Sequence, residues 1–263
     1  MRLMKSLCVM LILLGALAGP VGAQTGQTTA QNNDFQGNIT PYAWLTGLSG
    51  TVGARGYNTQ VSNSFTDLSK YLNLAGMIHA DILYRETVGI LGEINYAQLG
   101  DQASGKHVSL DAKSSLFLSD VAAYYRLWKG SLGQDGGCPV SFDLLAGARI
   151  WSLGMRLETA SSLVSSTVSK QISWVDPIVG ARAVLHMSDK WLLEFRGGVG
   201  GFGASSAFTW DAMALLGYSF WDHGTLLLGY RAVGVNHDQG SGKSSIKFDM
   251  TMHGPVLGLA FSF

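Results

Sequence analysis

Cysteine is nearly absent from this chain, with two residues in 263. Cys8 lies in the apolar N-terminal run. Cys138 is then left without an intramolecular partner, which excludes a disulfide framework. Proline is scarce, at 5 residues, and charge is low, at 14%. The balanced charge argues against nucleic acid as a partner. The most informative absence concerns long apolar runs. The chain is 47% hydrophobic, too apolar for disorder, yet after residue 23 no run is long enough to cross a bilayer as a helix.

The N-terminus "MRLMKSLCVMLILLGALAGPVGAQ" has Arg2 and Lys5, then apolar residues from Leu7 to Leu17, then Gly19-Pro20 and the small residues Val21-Gly22-Ala23. This pattern predicts a secretory signal peptide over 1–23, cleaved after Ala23. The run is too short to serve as a membrane anchor, and no lipobox ends in Cys8. Without Arg2 and Lys5, the 18 basic residues fall short of the 18 acidic ones and the net charge becomes −2. Residues 24–35 read as a short periplasmic tail. Residues 36–263 read as one large all-β domain.

From there the hydrophobicity has period two, the mark of strands with two unlike faces. Ten segments follow the pattern: 36–48, 73–85, 88–99, 114–128, 140–157, 169–187, 190–200, 206–220, 225–236 and 246–263. The links after the second, sixth and eighth are short. Those after the first, third, fifth and ninth (49–72, 100–113, 158–168 and 237–245) are longer and polar. Short turns at one end and long loops at the other predict a transmembrane antiparallel β-barrel of about ten strands, with eight or twelve as the neighbouring counts. An even count puts both termini at the turn end.

The two faces differ in chemistry. Over 206–220, Phe208, Trp210, Ala212, Ala214, Leu216, Tyr218 and Phe220 form an apolar face that suits lipid, with Trp210 and Tyr218–Phe220 as aromatic girdles. The alternate residues form an interior face. Across the chain that interior phase collects Asp81, Glu93, Asp120, Asp143, Asp176, Glu194 and Asp211, with Arg85, Arg126, Arg149, Arg182, Arg196 and Arg231. His79 and His186 share it. A guanidinium binds carboxylate in bidentate fashion and does not deprotonate, so such a set predicts a charge-paired polar core. A charged pore lining is the alternative.

Other motifs carry less. "GVGGFG" (198–203) has the spacing of a dinucleotide fingerprint, but a strand pattern follows it where a helix is required, so it predicts a compact loop. His107-Val108-Ser109 and His186-Met187-Ser188 share an H-x-S spacing that resembles the one used by outer-membrane lipid A deacylases. With Asp101 and Asp111 near His107, a lipid-modifying enzyme is a second alternative. "NHDQGSGKSS" (236–245) and "DLSKYLN" (67–73) lack the ligand count of a calcium loop, and Tyr71-Leu72 closes a short helical cap. Trp44, Trp151 and Trp174 read as structural aromatics. No catalytic residue, metal site or cofactor is assigned.

The segments "ITPYAWLTGLSGTVG" (39–53), "WVDPIVGARAVL" (174–185) and "FDMTMHGPVLGLAFSF" (248–263) are similar to a family of uncharacterised outer-membrane β-barrel proteins of Gram-negative bacteria. The resemblance implies residence in the outer membrane, lipid contact, and insertion by the barrel-assembly machinery. Leu259, Phe261 and Phe263 match the terminal alternating signal read by that machinery. A structural or surface-display protein, monomeric and not an enzyme, is the leading expectation. A narrow channel for small solutes comes second. At Gly254-Pro255 the apolar phase changes from even (Phe248, Met250, Met252) to odd, which predicts a bulge or kink.

Overall fold

A computed structural model describes residues 34–54, 57–104, 108–133, 137–161, 165–240 and 245–263. The expected signal peptide and nearly all of the expected tail lie outside them. The chain enters with β1 (Phe35–Trp44) and continues as β2 (Gly47–Ala54). β3 (Tyr57–Asn63) folds back on β2, and a short helix α1 (Phe65–Leu68) and a 3-10 turn (Ser69–Tyr71) follow. Then come β4 (Leu72–Tyr84), β5 (Val88–Ser104), β6 (Val108–Leu132), β7 (Cys138–Ser161) and β8 (Ser165–His186). The last four strands are β9 (Trp191–Gly200), β10 (Phe208–Trp221), β11 (Gly224–Gln239) and β12 (Ile246–Ser262).

From β4 to β12 each strand pairs antiparallel with its neighbour in sequence, and β1 closes the cylinder by pairing with both β4 and β12. β12 pairs with β1 along its turn-end half and with β2 along its loop-end half. β1 and β2 therefore occupy one position in the wall. The result is a closed antiparallel barrel of ten positions, with β3 added beside β2. Closure removes the free edges that lipid could not satisfy. The ladder runs to the last residue, since the Gly37 N–H donates to the Phe263 carbonyl at 3.0 Å and the Phe263 N–H to Gly37 at 2.9 Å.

The pleat sorts the residues as the alternation requires. Ile82, Ile90, Ile94, Val121, Leu144, Val175, Phe195, Leu216, Leu228 and Leu257 are all exposed on the outside. At the turn end the band closes in an aromatic girdle, where Phe35 meets Tyr84 with ring centroids 4.8 Å apart and Trp191 meets Tyr218 at 4.9 Å. A type I′ hairpin turn joins β4 to β5. Arg85 and Glu86 both take the left-handed conformation it needs, at φ 48° and 51°.

Four sequence expectations need correction. The first strand is broken at Leu45-Thr46. The loop 49–72 contains the β2–β3 hairpin, built from a stretch without a carboxylate and with little apolar alternation, and seated because β12 offers it an edge. The links 100–113 and 158–168 are mostly strand, since β5 to β8 continue well above the apolar band. There the outer face carries Lys113, Arg156, Ser169 and Gln171, while Leu116, Leu153 and Ile172 pack against the core. The period stays two but the polarity of the faces inverts, so the stretch no longer looks like a membrane strand. Finally, Gly254-Pro255 is not a bulge. β12 pairs residue for residue with β11 from Ile246 to Phe261, and Met250 and Met252 point inward with Val256. The irregularity sits in the facing β1–β2 break. A Cβ on Gly254 would lie 2.0 Å from the Leu45 carbonyl oxygen, so only glycine lets that backbone pass.

Candidate functional site: a charged interior belt

Register brings the interior charges opposite one another. Across successive strands Glu93 faces Asp120, Asp120 faces Arg149, Arg126 faces Asp143 and Asp143 faces Arg182. Three groups result. In the first, Arg149 holds Asp120 side-on, with Nε and Nη2 each 2.8 Å from a different carboxylate oxygen. The same Nη2 donates to Asp211 at 2.8 Å, and Nη1 donates to the Thr209 hydroxyl at 3.2 Å. In the second, Asp143 accepts from Arg126 Nε at 2.8 Å and from Arg182 Nη2 at 2.8 Å, while Arg182 Nη1 reaches Asp81. The Tyr124 hydroxyl donates to Asp81 at 2.6 Å, and its ring lies under the Arg182 guanidinium at 4.4 Å. In the third, Glu93 accepts from Arg196 Nη2 at 2.6 Å, from Arg231 and from the Tyr42 hydroxyl at 2.9 Å. His79 stands 3.7 Å from it.

These groups are out of solvent. Asp143 is 0% exposed, and Arg149 and Arg231 are 1% exposed. Taking such ions out of water is costly, and only dense mutual hydrogen bonding offsets it. The belt meets that condition for its five carboxylates and for four of its five guanidiniums, while Arg231 keeps Nε and Nη2 without a hydrogen-bond partner among the described residues. Asp176 stands apart from it. It faces Arg149 in register, yet it accepts instead from Trp174 Nε1 at 3.1 Å, the Ser206 N–H at 2.8 Å and the Ser206 hydroxyl at 2.7 Å. This clamp draws the β9–β10 loop over the barrel, and Gly201, Phe202 and Gly203 in left-handed conformation make the loop compact. Glu194 lies on the interior phase with no hydrogen bond or ion pair among the described residues. Arg85 does not join the belt. It sits in the turn, paired with Asp34 at 3.2 Å.

Above the belt, toward the loop end, lies an apolar layer. Leu118, Trp151, Val233 and Met252 are fully buried in it, with Trp44 and Trp174. Trp151 stacks on Trp174 at 5.6 Å, and Trp174 on His237 at 4.0 Å. Below the belt, toward the turn end, the interior opens as a cup of about 570 Å³. At its mouth Lys129 Nζ donates to Glu86 at 2.7 Å, which holds the Glu86 carboxyl below the usual carboxylate range. That contact stabilises the folded state at neutral pH and is lost as pH falls through the depressed value.

Parity in the strands missed several partners. Tyr42, Asn95, Tyr124 and Thr209 lie on the interior phase, but they carry no charge to single them out. Ser206 comes from a loop and has no pattern signal. Of the H-x-S pairs, His107 lies outside the described residues. His186 lines the cup, whereas the Ser188 hydroxyl accepts from the backbone of Lys190 and Trp191 within its turn.

The fold and its filled, charge-paired interior define a transmembrane β-barrel of the outer-membrane type. No protein-family model matches the chain, and no curated protein sequence matches it. Solved barrels are similar to it. The attachment invasion locus protein Ail of Yersinia pestis, bound to sucrose octasulfate, is 11% identical with a TM-score of 0.39, over 88% of this chain and 99% of its own. The outer membrane protease OmpT of Escherichia coli is 10% identical with a TM-score of 0.45, over 90% and 99%. The translocator domain of the autotransporter NalP of Neisseria meningitidis is 12% identical with a TM-score of 0.43, over 88% and 89%. At these identities the likeness is one of fold.

Proposed function

We propose that the chain is an outer-membrane barrel of structural and surface-display type, monomeric and non-catalytic, with its turn end in the periplasm. The observation that supports this most directly is the filled cross-section. The pairs Arg149–Asp120, Arg182–Asp143 and Arg231–Glu93, with side chains 0–8% exposed, lie beneath an aromatic layer in which Trp151 and Leu118 are 0% exposed. A solute would have to break both layers to pass. The apolar outer band supports lipid as the surrounding phase, because an exposed face of that extent has no aqueous rationale. The long β5–β8 wall, polar outside and rising past the band, supports display at the cell surface. Leu259, Phe261 and Phe263 on the closing strand suit recognition by the assembly machinery.

The purified barrel in planar bilayers is expected to give no reproducible conductance. Steady single-channel steps whose ion selectivity changes in Arg149→Ala would overturn the reading in favour of a narrow channel.

A further inference from the structure

An imidazole stands on the apolar outer face of the barrel. Tyr230 and His253 lie on the outward phase of β11 and β12, both exposed, and the Tyr230 hydroxyl is 2.6 Å from His253 Nδ1. Register fixes their depth. His253 lies one row inside the row of Trp210, the girdle residue of the loop end, and Tyr230 one row further in. A row is two residues, about 7 Å of strand. A phenol hydrogen in hydrocarbon needs an acceptor, and Nδ1 is the one within its reach. Nδ1 then carries no proton, so the ring hydrogen is on Nε2. That N–H has no acceptor among the described residues, which is costly in an apolar phase.

His253 also stands at the end of a hollow in the outer wall. Ala181, Gly197, Ala212 and Ala232 form one register row that runs into it. In the next row toward the turn end, Phe195 and Tyr230 rise with only Ala214 between them. Their strands, β9 and β11, are two spacings apart, about 10 Å. These rows enclose an open apolar hollow of about 560 Å³. Arg182 and Arg196 reach it through backbone alone, since their guanidiniums turn inward to Asp143 and Glu93. No charged side chain therefore faces the slot among the described residues. A charged group would find no counter-charge there, and a plain alkane would leave the Nε2 hydrogen unpaired. A hydrocarbon chain headed by a neutral carbonyl meets both demands. One row inside the girdle is also the depth of acyl linkages, at the edge of the hydrocarbon core. The narrow slot between two rings favours a single chain over the broad wall of a second barrel.

We propose that the outer wall holds one acyl lipid of the loop-end leaflet, its chain in the slot between Phe195 and Tyr230 and its ester or amide carbonyl accepting from His253 Nε2. The site rests on the outer band facing lipid, as read above. The test takes the full mature barrel in dodecyl maltoside and counts retained lipid by native mass spectrometry. The probes are dimyristoyl phosphatidylcholine and its dialkyl ether counterpart, which has the same headgroup and chain length but no carbonyl. Flotation of the same preparation with liposomes reports separately whether the band enters lipid. One ester lipid per barrel is expected, held about fivefold more tightly than the ether, the effect of one net hydrogen bond. His253→Leu is expected to make the two lipids equal while the barrel still floats. Ala214→Phe, which fills the slot, is expected to weaken both. Barrels that float but show no ester preference, or keep it in His253→Leu, overturn the site alone. A dimer that Ala214→Phe dissolves also overturns it, by giving the hollow to a second copy. Barrels that fail to float overturn the lipid-facing band together with the site.

Discussion

Arg149 shows why the interior residues act as sets. Its guanidinium spans Asp120, Asp211 and Thr209 at 2.8–3.2 Å, and its side chain is 1% exposed. Removing it takes from two buried carboxylates the guanidinium that hydrogen-bonds them both, and leaves Asp120 only the looser contact of Arg231 Nη2 at 3.9 Å. Arg149→Met is therefore expected to destabilise the barrel by about 3–5 kcal/mol, the usual cost of breaking a buried pair. Replacing Asp120 and Asp211 by Asn in the same chain should recover most of that loss, because the uncompensated charge goes with them. Urea unfolding in detergent micelles measures both. A single variant as stable as the parent would mean that the belt is hydrated and loosely held. Gly254 shows the opposite kind of constraint. Its role is to have no side chain where Leu45 passes, which no reading of charge or hydropathy reveals.

At the scale of elements, the strands divide into a part that makes the barrel and a part that rises above it. β5 to β8 exceed the apolar band, and their upper rows pair only with one another. Those rows lie above the apolar layer that seals the interior. Excising residues 101–112 and joining Gly100 to Lys113 through an Asn-Gly turn should leave the barrel closed. Its unfolding midpoint is expected to move by no more than about 0.5 kcal/mol, the range of surface changes remote from a core. Loss of the folded form would place the upper wall among the elements that hold the barrel together. The β2–β3 hairpin differs from this wall. β2 covers the loop-end half of β12, including the rows that hold Met250 and Met252.

For the whole molecule, the orientation in the membrane follows from which end carries the short turns. Cys138 stands at the turn end, partly exposed, at the start of β7. With the turn end in the periplasm, a membrane-impermeant maleimide should not label Cys138 in intact cells and should label it after the outer membrane is breached. A cysteine placed at Thr167, near the loop-end start of β8, should label in both. Labelling of Cys138 alone in intact cells would invert the orientation.

Much of this architecture is legible in the sequence. Period two is a local property of the strand backbone, so alternation by itself located ten wall positions and their two unlike faces, while Arg85, read with the interior set, sits in the β4–β5 turn. Register is not local. Only the closed barrel decided that Asp143 serves two guanidiniums and that Asp176 turns to a loop serine. Contact across a lumen depends on strand stagger and on which residues fill the space between, and neither leaves a trace along the chain. The same holds for "HGPVLGLAFSF". Its alternation marked a closing strand, but the glycine within it answers to a break in the strand it faces.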